Sequence, residues 1–246
     1  MSAYRWGPPG GSWGGSLTPA VKGLLLANVA VFTFQILSRF VAGVRLERLF
    51  GLVPYDVVHH FFIWQPATYL FLHDTGNLFH ILFNMLVLWM FGIALEETWG
   101  TRKFLRYYFV TGIGAAICTT VVSPNSYIPT IGASGAVYGL LLAYGVLFPR
   151  QTLLLWGIIP IEARYLVIGL GLVAFWMSLT ATGSGVAHVA HLGGMLFGWL
   201  YLRGPRWPRW PRFRPGDWME RVRRDRLKKK FRVYYRETRG RDDEEE

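Results

Sequence analysis

A serine hydroxyl acts as a nucleophile when a base within hydrogen-bond reach takes its proton and donors await the oxyanion its attack creates. In the stretch IGASGAVYG, Ser134 stands between Gly132 and Gly135, where the polar loop SPNSYIPT gives way to an apolar run. A helix opening there sets the hydroxyl beside unpaired backbone N–H groups at the positive end of the helix dipole, a natural place to hold an oxyanion. Gly-x-Ser-Gly is also what a helix-capping serine among small membrane residues looks like. The α/β-hydrolase elbow Gly-x-Ser-x-Gly is not met, because Ala136 holds its last position and no strand is predicted before it.

The matching imidazole is in VAHVAHLGGMLFGWL, where His191 is followed by Gly194 and Gly198, four apart and on one helix face. Gly135 and Gly139 repeat that spacing beside Ser134. Small residues so spaced let two helix backbones approach, and if these faces meet, Ser134 and His191 come within reach of each other. Between Ser134 and Leu202 the only carboxylate is Glu162, so the economical reading is a Ser-His dyad. Tyr138, one turn after Ser134, either packs on the imidazole in place of an orienting aspartate or is plain helix packing. In LFHILFNMLVLWMFG, His80 and Asn84 are four apart, so both side chains share a face. They can supply oxyanion donors or hydrogen-bond a neighbouring helix. A metal site built on His80, His188 and His191 lacks the HExxH pattern, and no metal or other cofactor is expected.

These groups need elements to carry them. The chain of 246 residues is 52% hydrophobic and 17% charged, where soluble domains carry about 25% charge, so the bilayer is the expected solvent. Six apolar segments, 21–37, 78–95, 104–122, 133–148, 163–179 and 186–202, predict an all-α membrane protein with six crossings. The fourth and sixth are short for a full crossing, which suits a locally thinned or wet site. Residues 1–20, rich in Gly, Pro and Ser, read as a flexible leader rather than a cleaved signal peptide, 21–202 as the membrane domain and 203–246 as a basic tail. Counting Lys and Arg by side gives 23 with the termini against three opposite, Arg39, Arg45 and Arg48. The positive-inside rule therefore puts both termini in the cytoplasm, in the plasma (inner) membrane. His80, Asn84, Ser134 and His191 then fall at similar depth toward the outer face. The single cysteine, Cys118, excludes an intrachain disulfide and reads as a small core residue. The tail mixes Trp, Pro and Arg beside the membrane exit, which predicts contact with anionic lipid headgroups rather than nucleic acid.

The combination resembles the rhomboid family of intramembrane serine proteases. Its marks are HILFN in the second segment, Gly132-Ala133-Ser134-Gly135 opening the fourth, and His191 with Gly194 and Gly198 in the sixth. The likeness spans about 21–202. It implies a six-transmembrane-helix rhomboid-like bundle in which Ser134 attacks the scissile carbonyl, His191 takes and returns the proton, and water resolves the acyl-enzyme. It further implies an oxyanion hole of His80, Asn84 and the Ser134 backbone N–H, a tyrosine at Tyr138 stacked on the catalytic histidine, and a bracing glutamate at Glu96. His188 matches a polar position with no assigned part in proton transfer. The implied substrates are single-span membrane proteins whose helix is locally unstable near the outer face. The chain departs from the family around Ile63-Trp64-Gln65-Pro66, where many members carry a Trp-Arg pair, and at His73, seven residues before His80 rather than five. A rhomboid-like pseudoprotease that binds membrane proteins without cutting them is the alternative; such relatives usually lose the nucleophile or the base, and both are present here.

Overall fold

A computed structural model describes residues 17–155, 158–180 and 185–204, so most of the leader, 1–16, and nearly all of the basic tail, 205–246, fall outside the described residues. Helix α1 (Pro19–Ala42) opens on a proline, whose missing N–H costs nothing in a first turn, and ends at Gly43 in the left-handed region. Three short helices follow, α2 (Glu47–Phe50), α3 (Pro54–His59) and α4 (Gln65–Thr68), and then a 3-10 turn at Tyr69–Phe71. Helices α5 (Leu78–Trp99) and α6 (Thr101–Val122) meet at Gly100, and α7 (Ser134–Leu147), α8 (Ala163–Thr180) and α9 (Gly185–Arg203) complete the helical set. Among the described residues α1, α5 and α6 are long and apolar enough to cross a membrane, with α7 and α8 apolar but shorter. The protein is a multi-pass, mostly helical membrane protein.

Helix α6 sits at the centre because its glycines and tyrosines accept close neighbours. The Tyr107 hydroxyl donates to the Gly139 carbonyl of α7 at 2.8 Å, and the Tyr69 hydroxyl to the Gly112 carbonyl at 2.7 Å. Phe197 of α9 lies against Gly114, and Cys118 lies against Gly193. On the other side of α7, Phe91, Val137, Leu141, Tyr144 and Val167 form a buried apolar cluster that joins α5, α7 and α8.

Between α7 and α8 the chain departs from an all-helical reading. Strands β1 (Thr152–Leu155) and β2 (Ile159–Glu162) pair antiparallel, Thr152 opposite Glu162. Pro160 cannot donate to a central ladder, and a two-stranded ribbon leaves its nitrogen on an edge where no donor is needed.

The long α1–α5 connection is fixed by side chains bonding backbone. The Trp64 indole donates to the Leu49 carbonyl at 2.9 Å, Thr68 Oγ1 to the Phe50 carbonyl at 2.7 Å, and Gln65 Oε1 accepts the Val53 N–H at 2.9 Å. These side-chain bonds hold the loop with no arginine taking part. Leu52 exchanges both backbone bonds with Thr130, and the Gly132 N–H donates to the Tyr69 carbonyl at 2.9 Å. The connection therefore pins the loop that leads into Ser134.

Candidate active site

Ser134 is the first residue of α7, so its amide belongs to the turn whose N–H groups have no partner within the helix. The approach is forced by Gly132, whose φ of 117° is a conformation that side chains with a Cβ rarely adopt. A second constraint acts there: a Cβ on Gly132 would lie 2.6 Å from His80 Nε2. The glycine serves the turn and the seat of the imidazole together.

The structure brings Ser134 and His191 into contact: Ser134 Oγ and His191 Nε2 are 2.9 Å apart. What allows it is Gly194, where a Cβ would collide with the Gly135 backbone carbonyl, so α7 and α9 touch at that level. The expected continuation of this seam is found only in part. Gly139 faces Thr111 of α6, and Gly198 faces both the Tyr107 hydroxyl of α6 and Leu142 of α7. A four-residue spacing marks a close approach without naming the partner helix, and the smallest side chains of α7 and α9 serve two neighbours each.

Tyr138 stacks on the His191 ring with centroids 4.2 Å apart and planes 3° from parallel. His188 meets the same ring edge-on at 5.8 Å. His191 Nδ1 is buried, and no described group bonds to it. When Nε2 accepts the serine proton, Nδ1 carries the other one, so ring orientation falls to the tyrosine face rather than to a carboxylate.

His80 and Asn84 both line the cavity that holds Ser134, Tyr138 and His191, a space of about 630 Å³ bounded across from them by Ile128, Pro129, Thr130 and Ile131. The Asp74 N–H donates to His80 Nδ1 at 3.2 Å, which leaves the ring proton on Nε2, the nitrogen beside Gly132. The Asn84 amide spends one N–H on the His80 carbonyl at 2.7 Å and keeps the other. Two side-chain donors thus line the cavity that the first residue of α7 opens into. A hydroxyl, an imidazole and hydrogen-bond donors therefore line one cavity, an arrangement chemically suited to acyl transfer.

Glu96 lies away from this cavity. Its two oxygens accept the Ala20 and Val21 N–H groups at 2.9 and 3.0 Å, and Oε1 also accepts the Thr101 hydroxyl at 2.6 Å. A buried carboxylate here caps the N-terminus of α1, where charge and dipole agree. His73 lies fully buried with its ring edge-on to His80 at 5.2 Å.

Some contributors carried no motif. The role of Asp74 runs through its backbone, which no residue pattern announces. Gln35 was visible in principle, as a polar residue in an apolar span. Its side chain accepts the His73 N–H at 2.9 Å and donates to the His73 carbonyl at 3.1 Å, fixing the entry to α5. Among the described residues no group of three His, Cys, Asp or Glu side chains is placed to hold a metal ion.

Comparison with known proteins places the chain in a family. A rhomboid domain matches residues 60–204. The chain is 29% identical over 205 residues to Rhomboid protease AarA of Providencia stuartii, an overlap of 71% of this chain and 68% of that one. It is 33% identical over 137 residues to Rhomboid protease GluP of Bacillus subtilis (strain 168), covering 55% of this chain and 24% of that one. Against RHOMBOID-like protein 1 of Arabidopsis thaliana it is 30% identical over 159 residues, 65% of this chain and 39% of that one. The chain thus spans well under half of the latter two relatives, and the rhomboid-domain match at 60–204 includes the positions of Ser134 and His191. It belongs to the rhomboid family.

Proposed function

We propose that this protein is an intramembrane serine endopeptidase that cuts the membrane segments of single-span proteins. The observation that carries the reading is the 2.9 Å contact between Ser134 Oγ and His191 Nε2, made across two helices inside one cavity. As the hydroxyl attacks a scissile carbonyl, its proton passes to Nε2 and negative charge grows on the carbonyl oxygen. The His80 Nε2–H, the free N–H of Asn84 and the Ser134 amide take that charge. Nε2 then returns the proton to the departing amine, which leaves an acyl-serine. A water activated by the same nitrogen releases the acid and restores the serine.

A helical substrate hides its carbonyls, so it must unwind to be cut. Gly, Pro or polar residues near the outer face make that unwinding less costly. Six crossings with both termini in the cytoplasm place the cavity toward the outer face, consistent with the side on which basic residues are scarce.

The test is purified protein with a panel of single-span substrates. Cleavage is expected, and Ser134→Ala or His191→Ala abolishes it while a metal chelator leaves it intact. Cleavage that persists in Ser134→Ala overturns the mechanism, and no cleavage of any substrate by the wild type favours a binding role on the same scaffold.

A further inference from the structure

A second cavity, of about 530 Å³, adjoins the first, and Asp74, Pro129 and Ile131 line both. Its walls carry Arg39, Arg45 and Arg48, which in the six-crossing reading are the only basic residues on the outer side. Cations there run against the bias that sorts Lys and Arg toward the cytoplasm, and all three gather at one spot. A helix dipole does not account for them all. Arg48 lies on a four-residue helix, and Arg45 lies in the connection before it.

Three carboxylates share the cavity, and each already has a partner. Gln35 donates to Glu47 Oε1 at 2.9 Å, Asp56 Oδ1 meets His60 at 2.9 Å, and Asp74 Oδ1 accepts the Gly76 N–H at 2.9 Å. Arg39 uses one of its five N–H donors in a 2.8 Å bond to Thr75 Oγ1. Among the described residues no carboxylate forms an ion pair with any of the three guanidinium groups. One oxygen of each carboxylate is so held, none lies within ion-pair distance of the arginines, and the donors of Arg45 and Arg48 are open.

We infer that Arg45 and Arg48, with Arg39 behind them, form a subsite for an acidic side chain on the outer flank of the substrate's cut site. This rests on the protease reading. An extended chain advances about 3.3 Å per residue, so a strand leaving Ser134 past Pro129 and Ile131 brings a residue a few positions from the cut over the guanidinium groups. Arg presents a planar fork of donors that suits a carboxylate. Substrates with Asp or Glu at that position are therefore bound in preference to those with Asn or Gln.

The test uses the full chain and paired substrates that differ only in Asp or Asn, scanned along the outer flank of the cut. At one or two positions kcat/KM is expected to be roughly tenfold higher for Asp, through KM, and to lose that preference in high salt, as exposed charge pairs do. Arg45→Gln with Arg48→Gln brings the ratio to about one by raising KM for the Asp substrates. An Asp/Asn ratio near one at every position in the wild type, or a ratio that survives the double substitution, overturns the inference. So does a loss that falls equally on all substrates and only in bilayers containing phosphatidylglycerol, which assigns the arginines to lipid phosphate. Binding of fluorescent Asp and Asn peptides to Ser134→Ala protein reads the same preference without cleavage. A wild type that cuts nothing therefore defeats the protease reading, while the peptide affinities decide the subsite.

Discussion

His191, the proposed base, has nothing ionic among the described residues to steady it. Its Nε2 faces Ser134 Oγ, its Nδ1 meets no described partner, and its ring lies flat on Tyr138. Stacked ring pairs are worth about 0.5–1.5 kcal/mol beyond the area they bury, which sets the scale of what the tyrosine can contribute to ring orientation. Tyr138→Ala is therefore expected to lower kcat about tenfold with KM little changed, and Tyr138→Phe, which keeps the stacked face, to stay within about twofold of wild type. Steady-state cleavage kinetics decide it; equal losses in both variants would mean that the hydroxyl matters instead. Gly132 makes a sharper case, because its φ of 117° and the 2.6 Å approach of His80 Nε2 exclude a Cβ on separate grounds. Gly132→Ala is expected to cost about 1–3 kcal/mol of stability from backbone strain alone and to displace His80 from the oxyanion side, lowering kcat by about 10²-fold or more. Melting and kinetics on one sample test both halves, and wild-type kcat in a destabilised variant would remove His80 from the mechanism. At this scale the residues that gather in the cavity were legible in the sequence, because serine, histidine and asparagine side chains are rare in apolar segments. The Asn84 bond to the His80 carbonyl was not legible, since an asparagine's two N–H groups are divided by local geometry.

Helices carry these side chains, and the seams between helices decide whether the groups meet. A methyl group on Gly194 would strike the Gly135 carbonyl, which is backbone and cannot rotate away. A methyl group on Gly198 would meet the end of the Tyr107 side chain, which can move at the expense of its bond to Gly139. Gly194→Ala is thus expected to separate α7 from α9 and abolish cleavage, whereas Gly198→Ala lowers the melting temperature and keeps most activity. Labelling of Ser134 by a fluorophosphonate reads this directly, and equal labelling in both variants would refute the ranking. Glu96 acts on a different seam. Glu96→Gln keeps one oxygen acceptor but loses the charge beside the first amides of α1, so a loss of about 1–2 kcal/mol in stability with little change in kcat is expected. A fall in kcat at temperatures where the variant is fully folded would count against a purely structural role. The helix ranges were readable from hydropathy, and the glycine pairs marked where backbones approach. Which helix each glycine faces was not readable, because α6 offers Gly112, Gly114 and Thr111 to three neighbours, and periodicity along one helix carries no information about the order of helices around it.

For the molecule as a whole, the cost of assembling a polar site in an apolar solvent is spread over buried residues that do no chemistry. Gln35, Gln65, Glu96 and His73 are all nearly inaccessible, and the first three hold loops or helix ends by bonding backbone groups. His73 differs in that it titrates. It lies in the connection before α5, outside the spanning helices, where burial first and the neighbouring His80 second lower its imidazole from the usual 6.5 to about 4. The sign follows from proton binding: between these two values the unfolded chain takes up a proton that the folded chain refuses, so stability falls as the pH falls. The contribution is complete above pH 6.5, declines through the window and is gone below about 4, amounting to at most about 3 kcal/mol. Melting in detergent from neutral pH down to about 4 should show this slope in the wild type, and His73→Leu, which cannot titrate, should flatten it. Because the ring also packs edge-on against His80, activity in the wild type is expected to fall in the same acid window as the folded fraction rather than before it. A melting curve whose acid slope is the same in His73→Leu would shift the acid sensitivity to another group, and activity that fails while the protein is still folded would place the titration in the site itself.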